Sequence, residues 1–180
     1  MTKTVTTIQF EAPVQIIENT SIVRLPEQAS LQLPSRGQVA VTGTFNGHDF
    51  KTVLEPDGYW GHWMRVEETL QKNADVGDVA HIEMQTTKEW PEPVLPKDFE
   101  RVLSDAPQKV QEKWHDITAM ARWEWIRWIN STGNNETRRI RLEKTVSKLN
   151  GTHRRPCCFN LAACTDSQLS KSGRFIGGAL

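Results

Sequence analysis

Residues 39–54 read VAVTGTFNGHDFKTVL, two β-type runs joined by the pair Asn46-Gly47. Residues 39–45 are rich in β-branched side chains and alternate in size, and residues 48–54 form the second run. An Asn-Gly pair between two such runs is a strong hairpin signal, because both central residues of the turn need a positive φ angle. This stretch therefore predicts a tight antiparallel hairpin, with no helix in 39–54.

Further candidate strands lie on both sides of this hairpin. They are residues 8–10, 14–17 and 21–25 before it and residues 59–66 and 79–84 after it, with turn signals at Pro56-Asp57-Gly58 and Gly77-Asp78. Short strands separated by turns about every 8–12 residues are typical of a barrel or a sandwich. A segment of this size favours a small barrel, because closure removes exposed sheet edges.

The second half of the chain has helical spacing. Residues 90–96, WPEPVLP, contain three prolines and predict an extended linker. Short helices are then expected after Pro96, after Pro107 and after the N-cap Thr118, and a last helix is expected over residues 136–149. We therefore predict an α+β protein with a small antiparallel β-barrel in 1–89, a linker in 90–96, a helical region in 97–151 and an irregular cysteine-containing tail in 152–180.

Charge is divided unevenly along the chain. Residues 1–96 carry 7 Lys and Arg against 13 Asp and Glu, a net of −6, and residues 135–180 carry 9 against 3, a net of +6. This division favours either a basic tail that docks on an acidic barrel or an anionic partner. The apolar runs are too short to span a bilayer, and the first residues lack the apolar segment of a secretory signal. We expect a cytoplasmic protein without a membrane span.

One aromatic stretch, Trp60-Gly61-His62-Trp63-Met64-Arg65, is a candidate ligand site. In a strand, Trp60, His62 and Met64 face one way, and Trp63 and Arg65 face the other. Aromatic rings together with a histidine or an arginine can form a pocket at the mouth of a barrel. The candidate ligand-binding residues are therefore Trp60, His62, Trp63 and Arg65. The alternative is core packing with an exposed polar face.

The tail offers imidazole and thiolate donors at His153, Cys157, Cys158 and Cys164. The spacing is poor for zinc, because adjacent cysteines do not converge on one tetrahedral ion. We therefore expect no metal and no other cofactor. Vicinal thiols activated by Arg154 and Arg155 are one alternative, and inert, partly buried thiols are the other.

The basic run RRIRLEK, residues 138–144, could contact phosphates, and the neighbouring tryptophans could stack on bases. Trp125 and Trp128 nevertheless share a helical stripe with Ala121 and Ile129, which is typical of a core face. We do not expect nucleic acid as a partner. No G-x-S-x-G, Walker or H-E-x-x-H motif is present, so no catalytic residue is assigned, although a triad assembled only in space stays open.

The same stretches resemble known families. Residues 8–85 resemble the small-barrel domain of unknown function numbered nineteen-oh-five, through VAVTGTFNG in 39–47, PDG in 56–58 and GDV in 77–79. The second half resembles the "bacteriocin-protection, YdeI or OmpD-associated" family, through LPKDF in 95–99, ARWEWIRWI in 121–129 and ETRRI in 136–140. The tail RRPCCFN, residues 154–160, resembles a motif of one subgroup. The resemblance implies a barrel with a helical appendage and carries over no catalytic residue.

Two functional hypotheses follow. The first is a non-enzymatic protein whose barrel binds an unknown small ligand or a protein partner. The family resemblance links it to protection against bacteriocins or envelope stress. The second hypothesis is a thiol-dependent redox or metal-binding protein that uses the C-terminal cysteines.

Overall fold

The computed structural model describes residues 6–157 and 160–180. The described residues of the first half form a closed antiparallel β-barrel, and the predicted α+β class is confirmed. Its strands are β1 Ile8–Ile17, β2 Thr20–Arg24, β3 Val39–Phe45, β4 His48–Pro56, β5 His62–Arg65 and β6 Val79–Thr86. Their order around the barrel is β1-β2-β5-β4-β3-β6, so β1 and β6 close the sheet against each other.

The predicted hairpin is confirmed, and its two strands are neighbours in the wall of the barrel. β3 and β4 pair in register from Val39 opposite Leu54 to Phe45 opposite His48, with Asn46 at φ 49° in the turn. The inner faces of the strands hold the core. In β1, for example, Ile8, Phe10, Ala12 and Val14 are buried and alternate with exposed residues. This alternation has the period of two that a half-buried strand requires.

Gly43 allows β3 and β6 to approach each other. It lies opposite Met84 of β6 in the paired register. A Cβ atom at position 43 would lie 1.9 Å from the carbonyl oxygen of Glu83, a backbone atom that cannot rotate away. Glycine is therefore required at this close approach of β3 to β6.

Parts of the barrel differ from the sequence expectation. The expected runs 8–10 and 14–17 form one strand, and the strand expected from residue 59 begins at His62 instead. Two short helices, α1 Glu27–Leu31 and α2 Glu68–Gln71, were not expected, because four or five residues show no measurable helical period.

Helices form the second part of the described chain, as predicted. They are α3 Lys97–Ser104, α4 Gln108–Asp116, α5 Ala119–Asn130 and α6 Asn135–Asn150. The predicted N-cap is confirmed, since Thr118 Oγ1 accepts a hydrogen bond from the N–H of Ala121 at 3.2 Å. None of the helices in the described ranges combines the length and apolarity that crossing a bilayer requires.

The helical unit has its own core. Trp125 is fully buried there, as predicted, and its ring meets the half-buried ring of Trp128 edge to face at 5.9 Å. The indole N–H of Trp125 donates to the carbonyl oxygen of Arg154 at 3.1 Å, so the buried donor is satisfied.

The tail, for which the sequence shows no period, contains a small hairpin. It consists of β7 Ser170–Lys171 and β8 Arg174–Phe175. The chain divides into two compact units. The first contains the barrel with residues 161–164 and 168–180, and the second contains α3 to α6 with residues 165–167. The end of the chain is therefore part of the barrel unit.

Residues from this end cover one side of the barrel. Cys164, Leu169 and Phe175 are buried against Ile22 of β2 and Trp63 of β5. All five residues of β2 are consequently buried, because one face of the strand lies in the barrel core and the other lies under the tail.

Candidate functional site

The loop between β4 and β5, residues 57–61, is organised by the side chain of Asp57. Its Oδ1 accepts hydrogen bonds from the backbone N–H of Tyr59 at 2.7 Å and of Gly61 at 2.9 Å. The backbone N–H of Asp57 donates to the carbonyl oxygen of Gly61 at 3.1 Å. These three hydrogen bonds explain why β5 begins only at His62, since they bend the chain where the sequence predicts a strand.

This loop holds Trp60 in an unusual conformation. Trp60 has φ 73°, in the left-handed region that costs a non-glycine residue about 1–2 kcal/mol. The guanidinium of Arg36 fixes the loop from the other side, because it donates to the carbonyl oxygens of Trp60 at 3.1 Å and of Ser30 in α1 at 2.7 Å. Trp60 is 71% exposed, so little burial offsets the backbone strain. The loop therefore presents a large aromatic side chain to solvent.

A cavity of about 180 Å³ lies beside this indole. Its lining includes Ser30, Leu31, Asp57, Tyr59 and Trp60. Leu31, at the end of α1, is 60% exposed, so two large apolar side chains border the same cavity. Exposed apolar side chains grouped around a concavity are typical of a binding surface.

His62 does not line this cavity, because both of its ring nitrogens are hydrogen-bonded inside the barrel unit. It is buried, with Nε2 2.9 Å from the carbonyl oxygen of Gly37 and Nδ1 2.6 Å from Ser30 Oγ. A carbonyl oxygen only accepts, so Nε2 carries the proton and Nδ1 accepts from the hydroxyl of Ser30. Burial, the largest influence, lowers the pKa of His62. The ring is therefore a neutral link between α1, residue 37 and β5.

Trp63 and Arg65 lie elsewhere on the barrel unit. Trp63 is buried beneath the tail, with its ring 5.9 Å from that of Phe175. The guanidinium of the exposed Arg65 lies 5.9 Å from the Trp63 ring. Of the four residues predicted from the sequence, the structure therefore places Trp60 at the cavity, His62 in the interior, Trp63 under the tail and Arg65 at the surface.

Arg24 is a buried charged residue that the sequence reasoning missed. It is 7% exposed, its guanidinium lies over the ring of Phe175 at 4.8 Å, and its Nη2 is 3.7 Å from Asp57 Oδ2. Burial lowers the pKa of Arg24, and the charge of Asp57 opposes this effect. A signal was visible, since an arginine inside the apolar run SIVRL of residues 21–25 is buried only when it is paired.

Arg24 also borders a further cavity of about 360 Å³, next to Ala12, Pro13 and Glu27. Glu27 and Leu180 line this cavity and the one beside Trp60. The two concavities are therefore neighbours on the barrel unit.

The cysteines are not gathered at one site in the described residues. Cys157 is exposed, with its Sγ 3.5 Å from Nζ of Lys148, whereas Cys164 is buried in the barrel unit. Cys158 lies outside the described residues. His153 is exposed, and within residues 6–157 and 160–180 no three His, Cys, Asp or Glu side chains are placed to hold a metal ion.

The basic run of α6 is occupied by contacts inside the helical unit. Arg138 forms a bidentate ion pair with Asp98 at 2.6 and 2.9 Å, which lowers the pKa of that carboxyl group. Arg139 forms an ion pair with Glu136 of the same helix. Arg141 donates to the carbonyl oxygen of Trp128 at 2.6 Å. These arginines are directed towards protein groups instead of forming an open phosphate-binding face.

Together these features define a class of protein: a small closed β-barrel with a surface cavity beside a displayed tryptophan, followed by a unit of helices. Residues 10–84 match the family model "Domain of unknown function (DUF1905)", and residues 92–151 match "Bacteriocin-protection, YdeI or OmpD-Associated". Each segment is thus similar to the family of its model, and the resemblance of both segments, in this order along the chain, is confirmed. No curated protein matches the chain.

Proposed function

We propose that the barrel unit is a non-enzymatic binding module whose surface around Trp60 binds an amphipathic cationic peptide. The observation that carries this proposal is Trp60 itself, an exposed indole held at a strained φ angle by the hydrogen bonds of its loop. Strain of this kind persists only where the surrounding structure enforces it, and it is concentrated at ligand-binding positions.

The chemistry around Trp60 suits a peptide that is apolar on one side and cationic on the other. The exposed side chains of Trp60 and Leu31 offer apolar area. Glu27 is exposed and lines the adjoining cavity, and residues 1–96 carry a net charge of −6. A cation over an exposed indole gains about 0.5–1 kcal/mol, and an acidic surface raises the rate of encounter with a cationic ligand. The name of the family matching residues 92–151 refers to bacteriocin protection, which is compatible with a peptide ligand.

Calorimetry with two designed peptides tests this proposal. An amphipathic Lys/Leu peptide should bind the full chain, and a matched Glu/Leu peptide should not. Trp60→Ala should raise the Kd for the Lys/Leu peptide by roughly tenfold or more, as is typical of a central aromatic contact. Val79→Ala is the control, since Val79 is 61% exposed and lines neither cavity. Equal binding of both peptides, or an unchanged Kd in Trp60→Ala, would contradict the proposal.

A thiol-dependent protein is the second candidate, and Cys157 is the observation that favours it. The sulfur is exposed and lies beside the ammonium group of Lys148. Thiol titration and elemental analysis of the protein, purified without chelator, distinguish the candidates. Stoichiometric zinc, or a cysteine that reacts much faster than an ordinary thiol, would favour this second function. The cytoplasmic location stays a prediction.

A further inference from the structure

The C-terminal segment, residues 168–180, has the chemistry of the ligand proposed above. Its sequence is QLSKSGRFIGGAL, with two basic residues, Lys171 and Arg174, and no acidic one. It is also amphipathic, because Leu169 and Phe175 are buried in the barrel unit whereas Lys171 and Arg174 are exposed. The chain thus carries a cationic amphipathic peptide of its own, and this peptide lies on the barrel.

The aromatic side chain of the segment, Phe175, occupies a defined position between side chains of the barrel. The ring of Phe175 lies between Arg24, whose guanidinium is 4.8 Å from the ring centroid, and Trp63, whose ring is 5.9 Å away. The backbone N–H of Phe175 donates to the carbonyl oxygen of Asp57 at 2.8 Å. Arg174, the preceding residue, places its guanidinium 5.6 Å from the ring of Tyr59, next to Trp60. A cation and an aromatic ring of a peptide are therefore accommodated together beside the proposed site.

The backbone of the segment is recognised as well. Arg24 donates through Nη2 to the carbonyl oxygen of Gly178 at 2.6 Å and through Nη1 to that of Gly177 at 3.5 Å. A Cβ atom at position 177 would lie 2.7 Å from the Phe175 ring, so the chain passes the ring closely only with glycine there. Arg24 thus binds carbonyl groups, which every peptide carries. The fit beside the ring favours glycine at position 177, and the left-handed φ of 74° favours glycine at position 178, so the groove selects the pattern aromatic-x-Gly-Gly.

Among the described residues, the segment leaves two hydrogen-bond donors of the barrel residues around Phe175 without an acceptor. Nε of Arg24 and Nε1 of Trp63 are buried and have no hydrogen-bond acceptor in the described part of the chain. Arg24 and Trp63 are paired residues of β2 and β5, so the two donors belong to neighbouring positions of one surface. Leu180 lines both neighbouring cavities, so the end of the segment lies where they adjoin. A buried donor without an acceptor is costly, and a ligand that supplied one would bind better than the segment does.

We propose that Asp57, Arg24 and Trp63 form a peptide-binding groove that the C-terminal segment occupies in cis, and that a cationic peptide with an aromatic-x-Gly-Gly pattern displaces it. This inference rests on the proposed function and extends it to a neighbouring groove of the barrel unit, because it names the pattern of peptide that this groove accepts and the segment that competes for it. A tethered segment competes at an effective concentration of about millimolar, so free peptides bind weakly until the segment is loosened.

The experiment uses a fluorescein-labelled synthetic peptide with the sequence of residues 168–180 and measures its binding to the full chain by fluorescence anisotropy. Phe175→Ala removes the aromatic ring of the tethered copy, and Gly177→Ala crowds that ring while leaving every barrel residue unchanged. Each variant should bind the peptide at least tenfold more tightly than the unaltered chain does. A peptide in which the phenylalanine is replaced by alanine should bind none of them. Circular dichroism and thermal melting establish which variants are folded, and either folded variant suffices.

Equal affinity of the unaltered chain and a folded variant for the peptide would overturn the inference, as would absence of binding to a folded variant. The Lys/Leu peptide of the preceding section, measured on the same samples, separates the two proposals. If that peptide binds in a Trp60-dependent manner and the segment peptide does not bind, the groove is refuted and the binding module stands. If neither peptide binds a folded variant, both proposals are refuted.

Discussion

Because the backbone at Trp60 is strained, we expect the glycine variant at this position to be more stable than the alanine variant, which reverses the usual order of stability. Trp60→Ala and Trp60→Gly remove the same indole, so the loss of its packing cancels when the two variants are compared. Alanine at φ 73° keeps the steric cost of the left-handed region, about 1–2 kcal/mol, which glycine does not pay. Glycine instead loses about 0.5–1 kcal/mol through the greater entropy of the unfolded chain. We therefore expect Trp60→Gly to exceed Trp60→Ala in free energy of unfolding by up to about 1.5 kcal/mol.

Leu31 is the matched control for this prediction. It is similarly exposed and lines the same cavity, but it lies at the end of α1. In a helix, alanine is more favourable than glycine by about 0.5–1 kcal/mol, so the free energy of unfolding of Leu31→Ala should exceed that of Leu31→Gly. Urea unfolding followed by circular dichroism measures all four variants.

The opposite order at position 60 would refute the reasoning. If Trp60→Ala exceeded Trp60→Gly in free energy of unfolding by about 0.5–1 kcal/mol, the backbone conformation would cost nothing, and strain would no longer indicate that the indole is retained for binding. If instead Trp60→Gly is as stable as the unaltered chain but no longer binds the Lys/Leu peptide, the side chain of Trp60 contributes to binding and not to stability.

Three further predictions concern the interiors of the two units. Gly43→Ala should cost at least about 3 kcal/mol in urea unfolding, because the new Cβ meets the backbone of β6, whereas Gly133→Ala, with no neighbour within 4 Å, should change little. Trp125→Ala should cost about 3–5 kcal/mol, and an unchanged melting temperature would contradict its burial in the helical core. Burial holds the pKa of His62 below its ordinary value of 6.5, so the unfolded chain binds the proton more readily. The free energy of unfolding should therefore fall as the pH drops below about 6.5, and His62→Gln should reduce this slope, with His48→Gln as the exposed control.

Local signals explain most of what the sequence predicted about the fold. The hairpin at Asn46 depends on two adjacent residues, and the start of α5 depends on Thr118 and a donor three residues later. Interactions of this range are visible in a sequence, because the partners are separated by a fixed number of residues.

The candidate site depends on partners that are far apart in the chain. Residues 59–66 carry the composition of a strand, yet the hydrogen bonds of Asp57 convert the first part of this run into a loop. Trp60 consequently lies in a loop and is exposed, whereas Trp63 lies in β5 and is buried. The burial of Trp63 depends on Phe175, more than one hundred residues later, so no local pattern predicts it. Arg24 is buried for the same reason.

In the described residues, two basic side chains of the tail pair with acidic side chains of the helices. Arg155 pairs with Glu124, and Arg154 pairs with Asp116 at 2.6 Å, both within the helical unit. The tail does pack on the barrel, but its buried contacts there are mainly apolar, through residues such as Leu169. Because exposed charges are screened beyond about 10 Å at ordinary ionic strength, net charge summed over ninety residues says little about which surfaces meet. Of the two exposed basic residues of the C-terminal segment, Arg174 lies beside the ring of Tyr59, and it is the cation that a competing peptide would replace.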